Sequence, residues 1–323
     1  MSTDTIFTGR ESRLLVKDEA SYGVAPSGNW LATYFYSSGL AAARPFEDDP
    51  VIGVGGATAR DPFDPAPGLT AHGGALVVPL DLAHIGYWLK LAFGAPTTTG
   101  TTDKTHVFTS GAAQLPTYAA EIKAASGEFR QHLGLAARSI RFAMAKEAGF
   151  RRVDLDLVGK GEAKLGATGG GTPAAALDRV PLPGVVGVVR WNGTVVGKAL
   201  AADLTYATGM DGERYLDGAT NPDEISGIVP AADPSLTGSI RVRAPVSTLD
   251  DAAIAGTPDD LEIEYALSAT RSLLIAAPRV FLERSGRPID GPGGLEQTLN
   301  LRAAQTAGAA MATVTLKNAV TSY

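Results

Sequence analysis

The residues best placed to do chemistry stand in pairs. Asp154 and Asp156 in RRVDLDLV, and Glu262 and Glu264 in LEIEYAL, are two positions apart. On an extended strand that spacing puts both carboxylates of a pair on one face. Two such groups could hold a divalent ion or divide acid and base work. The same spacing also describes the wet side of a sheet, since Val153, Leu155 and Leu157 alternate with the aspartates, and Leu261, Ile263 and Tyr265 with the glutamates. The solvated sheet face is the simpler reading. His72, His84, His106 and His132 are scattered, none has another at ligand spacing, and each reads as structural. Nothing in the sequence selects a Ser, His and Asp triad.

Three Gly-rich stretches approach nucleotide motifs and miss. GTVVGKA from Gly193 is one residue short of a phosphate-binding loop and has Ala199 where a magnesium-binding hydroxyl belongs. GVGGAT from Gly53 lacks the third glycine of a dinucleotide fingerprint, and GATGGGTP from Gly166 reads as a turn. Neither HExxH nor GxSxG occurs, and the absence of cysteine excludes disulfides and thiolate metal sites. Asn192 opens an Asn-x-Thr sequence, which carries no meaning without a secretory route. The expectation is a protein that is not an enzyme and uses no cofactor or metal.

The elements that would position these residues are mainly strands. In 323 residues there are 38 Gly and 20 Pro beside 45% hydrophobic residues, a mixture that suits many short strands and turns better than disorder. Besides the two acid-bearing strands, RLLVK and SIRVR read as strands, the latter with Arg241 and Arg243 outward. Further strands are expected at 117–125, 136–146, 199–207, 272–283, 296–305 and 311–318. If SIRVR and LEIEYAL were neighbours, Arg and Glu would pair across the ladder for roughly 0.2–1 kcal/mol each. A short amphipathic helix is predicted at about 81–93, from an Asp81 cap through Leu82, Ile85, Leu89 and Phe93 to Gly94. A weaker one is predicted at 248–255. Residues 45–74, which include RDPFDPAPG, read as a long extended loop. The stretches 117–161 and 199–244 both run strand, Gly turn, polar middle, strand. The chain therefore divides at 1–165 and 166–323, either as a tandem pair of related β units or as one elaborated domain.

Net charge of −6 and a pI near 5.3 argue against a surface that holds nucleic acid, whose affinity comes from Lys and Arg neutralising phosphates. The N-terminal MSTDTIFTGRESR has no basic stretch leading into an apolar one, so no secretory signal is read. The most apolar window, LVVPLDLAHIGYWLKLAFG, is broken by Asp81, His84 and Lys90 and reads as no membrane-spanning segment. One feature is left without a local purpose. DEASYGVAPSGNW, residues 18–30, puts Tyr22, Pro26 and Trp30 on a polar, Gly-broken arm.

DEASYGVAPS, GALVVPLDLAHIGYWLKLAFGAPTTTG, THVFTSGAAQLPTYAAEI, GRPIDGPGGLEQTLNLRA and VTLKNAVTSY follow one another from residue 18 to residue 323. In that order they resemble the tail tube (major tail) proteins of tailed bacteriophages, least so at 166–198. The resemblance implies a β-sandwich or barrel with a flanking helix. It implies a structural virion protein whose rings stack into a hollow tail tube, assembled in the host cytoplasm, through which double-stranded DNA passes. It also implies six tube units per ring, as six copies or as three if the chain is duplicated. The partners it implies are a tape-measure protein, a tail terminator and tail tip or baseplate proteins. On that reading Tyr22, Pro26, Trp30, Phe46, Phe63 and Tyr323 are candidates for contact with another subunit, the alternative being that they fold back on their own sandwich. Asp154, Asp156, Glu262 and Glu264 are candidates for the lumen or another solvent-facing surface. A rival reading is a β-sandwich binding module, for carbohydrate or as an adaptor of the same particle, with Trp30, Trp88 and Trp191 as stacking platforms.

Overall fold

The computed structural model describes residues 8–52, 61–125, 127–174, 177–216, 218, 221–289 and 291–323. Fourteen main strands carry it: β1 (Arg13–Asp18), β2 (Ala71–Pro79), β3 (Lys104–Thr109), β4 (Tyr118–Ala125), β5 (Glu128–Ala145), β6 (Arg152–Val158), β7 (Gly161–Leu165), β8 (Val188–Trp191), β9 (Ala199–Ala207), β10 (Ser235–Arg243), β11 (Asp259–Ser268), β12 (Arg271–Leu282), β13 (Glu296–Ala303) and β14 (Thr313–Asn318). All main pairings are antiparallel. One run goes β2–β6–β5–β9–β10–β13–β12, a second goes β8–β11–β12–β14–β3, and a third goes β1–β4–β5–β7.

Two strands serve two runs each. The first part of β5 pairs with β4 and β7, and its second part with β6 and β9. Between them stands Gly134 at φ +67°, a left-handed conformation that glycine adopts without steric cost, and its N–H donates to the Glu19 carboxylate at 2.7 Å. β12 pairs with β11 over Arg271–Val280, with β14 over Ser272–Ala276 and with β13 from Val280. Pro278, which has no N–H to give a ladder, is exposed at the changeover.

Alternate side chains fill one large core. Val153, Leu155 and Leu157 of β6, Ile240 and Val242 of β10, and Leu261, Ile263 and Tyr265 of β11 all point into it. Two helices close it, α1 (Ile85–Phe93) and α2 (Ser247–Ala255). The Asp81 carboxylate accepts the N–H groups of Ala83 at 2.9 Å and His84 at 3.3 Å, satisfying donors ahead of the first turn of α1. Gly94, at φ +88°, ends the helix with its N–H on Lys90 O.

The chain is mainly β, as expected, and three expectations need correction. The strand expected at 136–146 begins at Glu128, because the apolar alternation continues through the Gly134 bend. β10 and β11 are not neighbours. Arg241 and Arg243 instead meet Glu296 of β13 at 3.7 and 3.0 Å, and Glu262 and Glu264 meet Arg190 of β8 at 3.6 and 2.6 Å. The cross-strand pairing is real, with other partners. Residues 71–74, read as loop, open β2, and a two-residue ladder joins Phe46–Glu47 to Ala66–Pro67 inside the expected loop.

Candidate assembly surface

Residues 44–52 and 61–70 form the two described legs of an arm. At its root Ala41–Ala43 pairs with Ala71–Gly73, and the same antiparallel course continues outward as Phe46–Glu47 against Ala66–Pro67. Beyond the root the side chains find no core. Phe46 is 73% exposed, Ile52 92% and Phe63 53%, with Val51 and Leu69 also in solvent. Prolines at 45, 50, 62, 65 and 67 deny this stretch the donors for a longer ladder.

The root is held as firmly as the arm is bare. Arg44 donates to Gly68 O at 3.2 Å and pairs with Asp223 at 3.4 Å. The hydroxyl of buried Thr70 donates to the Asp223 carboxylate, and its carbonyl accepts from Arg214 at 2.6 Å. Asp223 and Arg214 belong to a second hairpin, Met210–Glu213 with Gly227–Pro230, inserted within the stretch likened to 117–161. On the other side Glu162 accepts the Ala42 N–H at 3.0 Å and pairs with Arg130 at 2.9 Å. Beneath them the His72 and His132 rings stack with their centroids 5.2 Å apart and share a hydrogen bond of 2.9 Å between Nε2 and Nδ1. Burial pushes both imidazoles below their ordinary range, His132 to about 4 with the His72 ring as a second cause.

The segment at 18–30 behaves otherwise. Trp30 is fully buried against Leu15 and Ala119, with its indole N–H donating to Pro26 O at 3.0 Å. Its backbone is tied on both sides, Trp30 N–H to Gly170 O and Ala174 N–H to Trp30 O, each at 3.0 Å. Trp30 therefore folds back on its own chain, which corrects its reading as a contact with a neighbour. Tyr22 is half-buried on Ala136, Val158 and Ile225, and burial raises its phenol. Pro26 is half-buried. Tyr323 packs edge-on against Tyr87 and His106, its hydroxyl donating to Ala83 O at 2.9 Å and accepting from Asn318 at 2.6 Å. Its phenol too is pushed up by burial. Of the six candidate contact residues, Phe46 and Phe63 are the two in open solvent.

The paired acids lie on strands that do not pair with each other. Asp154 stands on β6 opposite Arg141, 3.5 Å away, and Arg141 also approaches Asp203 of β9 at 3.4 Å. Asp156 is exposed on the same strand. Glu262 and Glu264 share Arg190 on the wet side of β11. No group of three or more potential ligands gathers to hold a metal among the described residues.

The Gly-rich stretches have local explanations. Asn192 and Gly193, at φ +49° and +64°, make the tight turn that joins β8 to Thr194–Val195. The loop from Gly166 does cradle an anion, but the anion is the chain's own. The fully buried Glu121 carboxylate accepts Thr168 Oγ1 at 2.6 Å, Gly169 N–H at 2.6 Å and Gly170 N–H at 3.2 Å. GVGGAT from Gly53 lies outside the described residues. The stacking platforms of the rival reading fail, because Trp30, Trp88 and Trp191 are all buried.

The described residues thus make a β-rich molecule with a bare apolar arm and no cluster of three or more potential metal ligands. A family model described as phage tail tube protein matches residues 9–303. The chain belongs to the phage tail tube family. A search of curated proteins returns no match. Membership makes this a structural phage tail protein, places it in the virion tail and implies self-association into a tube. No helix among the described residues is long and apolar enough to cross a membrane. What sequence reasoning missed on this tube protein is the root of the arm. The signal was present in His72, a polar residue in step with the buried Leu76 and Val78 of the same strand.

Proposed function

We propose that this chain closes into rings that stack as the wall of a hollow tail tube, and that DNA leaves the capsid through the bore into the host. The observation that carries the reading is the pair of arm legs at 44–52 and 61–70, with a clamped root and five large apolar side chains in solvent. Isolated apolar side chains are common on surfaces, but a pair of legs lined with them has no use in a monomer. Repeated head-to-tail contact between identical copies closes a ring where the rotation permits.

We read the chain as one elaborated unit of a six-membered ring. β5 pairs directly with β9 across the midpoint of the chain, and the main core draws on residues both before and after 165. Three copies remain the count if the two halves are separate tube units. Assembly takes place in the host cytoplasm, with a tape-measure protein setting length, a terminator closing one end and tip or baseplate proteins starting the other. The acidic balance of the chain keeps the duplex from adhering to the wall.

Negative-stain electron microscopy of the purified protein, concentrated at several salt levels and with tail tips added, tests the reading. Rings or tubes with an open bore are expected, and class-average symmetry with the subunit mass of 33.3 kDa separates six copies from three. A monomer under every condition, tips included, would overturn it.

A further inference from the structure

Where β5 ends and β9 begins, a groove of about 270 Å³ opens among Met144, Val185, Val189, Val195 and Leu200. Met144 and Val189 continue the inward alternation of β5 and β8, so they are buried and form its floor. Val185 stands ahead of β8 and Val195 on the return strand after it, and both lie at the rim, 61% and 56% exposed. An apolar floor continued into an apolar rim leaves hydrocarbon surface in water that the chain itself does not cover.

Cations crowd the same place. Arg151 lies in the groove wall, 2% exposed, with its guanidinium 5.4 Å above the centre of the Tyr265 ring. It donates to carbonyls alone, those of Val186 at 3.0 Å, Ala143 at 3.4 Å, Ala145 at 2.9 Å and Gly184 at 2.6 Å. No carboxylate among the described residues stands within ion-pair distance of it, and a buried charge without a counter-ion is costly. Lys146 lines the same groove, and Lys198 lines a wider one that shares Val195, Val196 and Gly197 with it. Both lysines are exposed and make no ion pair among the described residues. The acids at this end are Glu147 and Asp259. Glu147 favours the Arg151 charge that burial opposes, and the Asp259 carboxylate already accepts the Asp260 N–H at 3.0 Å.

We infer that this groove binds a single-chain fatty carboxylate, its alkyl chain on Met144, Val189 and Leu200 between the two valine rims and its headgroup among Lys146, Arg151 and Lys198. The inference is independent of how copies of the chain assemble. Both parts of the ligand are needed. A small anion would meet two exposed lysines whose attraction salt screens. A neutral chain would cover the valines but leave Arg151 without a counter-ion. An amphiphile does both, and its carboxylate meets the guanidinium in a low-dielectric wall where the charge is little screened. Size narrows the class further. Small-molecule sites usually span ~300–1,000 Å³, and a groove at the bottom of that range takes one slender chain rather than a two-chain lipid.

Methionine supplies the readout. The chain has four, of which Met144 lies in the groove and Met210 and Met311 lie elsewhere. With methyl-labelled methionine, decanoate added to the full chain should move the Met144 signal saturably and leave the other two in place, Met144→Leu identifying the signal. Equilibrium dialysis, which serves single chains and assemblies alike, gives the affinities. Decanol and acetate, the tail and the head alone, should each bind at least roughly tenfold more weakly than decanoate. Lys146→Gln with Lys198→Gln should weaken decanoate roughly tenfold and leave decanol unchanged. Val195→Glu, a change at an exposed position, should abolish decanoate binding while the denaturant midpoint stays native. A still Met144 signal would overturn the groove, and so would undiminished decanoate binding in Val195→Glu. Decanol binding as tightly as decanoate would overturn the role of the cations. Flotation of the chain with anionic phospholipid vesicles, undisturbed by decanoate, would assign the patch to a membrane surface and overturn the inference.

Discussion

The arm legs at 44–52 and 61–70 and the segment at 18–30 have the same ingredients, aromatics set among Gly, Pro and acidic residues, yet Phe46 and Phe63 stand in solvent and Trp30 is core. The difference lies in the backbone. Trp30 is followed by Leu31–Thr33, which pairs with β1, and its own N–H and C=O are met by Gly170 and Ala174. Gly170 also allows the close approach, since a Cβ there would sit 3.2 Å from the Trp30 ring. The prolines around Phe46 and Phe63 hold the ladder there to two residues, Phe46–Glu47 against Ala66–Pro67. An aromatic is drawn inside where its backbone can be satisfied inside.

The largest test of that contrast is Trp30→Ala against Phe46→Ala. Removing the buried indole costs about 3–5 kcal/mol of stability, read as a lower denaturant midpoint with an unchanged slope. Removing the exposed ring changes monomer stability by less than about 0.5 kcal/mol but reduces assembly. Equal stability losses in the two variants would break the comparison.

Acid should act at the arm's root rather than its tip. The folded His132 titrates near 4 against an ordinary 6.5, so the neutral ring is favoured in the fold and unfolding takes up a proton between these values. Its stabilising effect is complete above about pH 6.5 and is lost as pH falls toward 4, roughly 3 kcal/mol across the window. His72, also lowered, adds in the same direction. Facing them are Glu162, which favours the charged form of both rings, and Arg130, which opposes that of His132. Urea midpoints measured from pH 7.5 to 4 should fall steeply in the native chain and more gently in His132→Gln. Parallel curves would remove the histidine pair from the account.

The sequence made the β class legible, because period-two alternation over Arg152–Val158 and Asp259–Ser268 can be satisfied only by a strand with one wet side. Both helices were legible from their caps and spacing, Asp81 and Gly94 for the first. Register was not, since Arg241 and Glu262 carry complementary charge wherever their strands lie, and long-range pairing chose Glu296 and Arg190 instead. The arm was visible as a Pro-rich insertion, whereas its anchoring was not. Glu162, Arg214 and Asp223 reach it across 120, 144 and 153 positions of chain, from β7 and from the loop of the second hairpin, whose local sequences give no sign of a partner.

The Glu121 cradle sharpens the same contrast from the 18–30 side, for the loop it holds is the one that covers Trp30. Glu121→Gln keeps the size and removes the charge that three donors and Arg13, at 3.6 Å, converge on. A loss of about 2 kcal/mol is expected, with Trp30 fluorescence shifting toward the exposed form well before global unfolding. An unshifted emission through the transition would mean that Trp30 stays covered without the loop.

The smallest effect concerns the wet faces, where exposed ion pairs contribute little. Asp154→Asn with Asp203→Asn strips Arg141 of both partners and should change stability by less than about 1 kcal/mol. Its value is in what the freed guanidinium meets. If the β6–β5–β9 face lines the bore, Arg141 is now open to phosphates, and assembled tubes should retain DNA at low salt and release it as salt rises, because each new contact releases condensed counterions. If that face lies outside, the double variant should bind DNA no better inside the tube than the native chain does. The paired carboxylates would then matter as neutralising partners of the outer wall, in keeping with a surface on which every acid candidate but Asp156 already has its arginine.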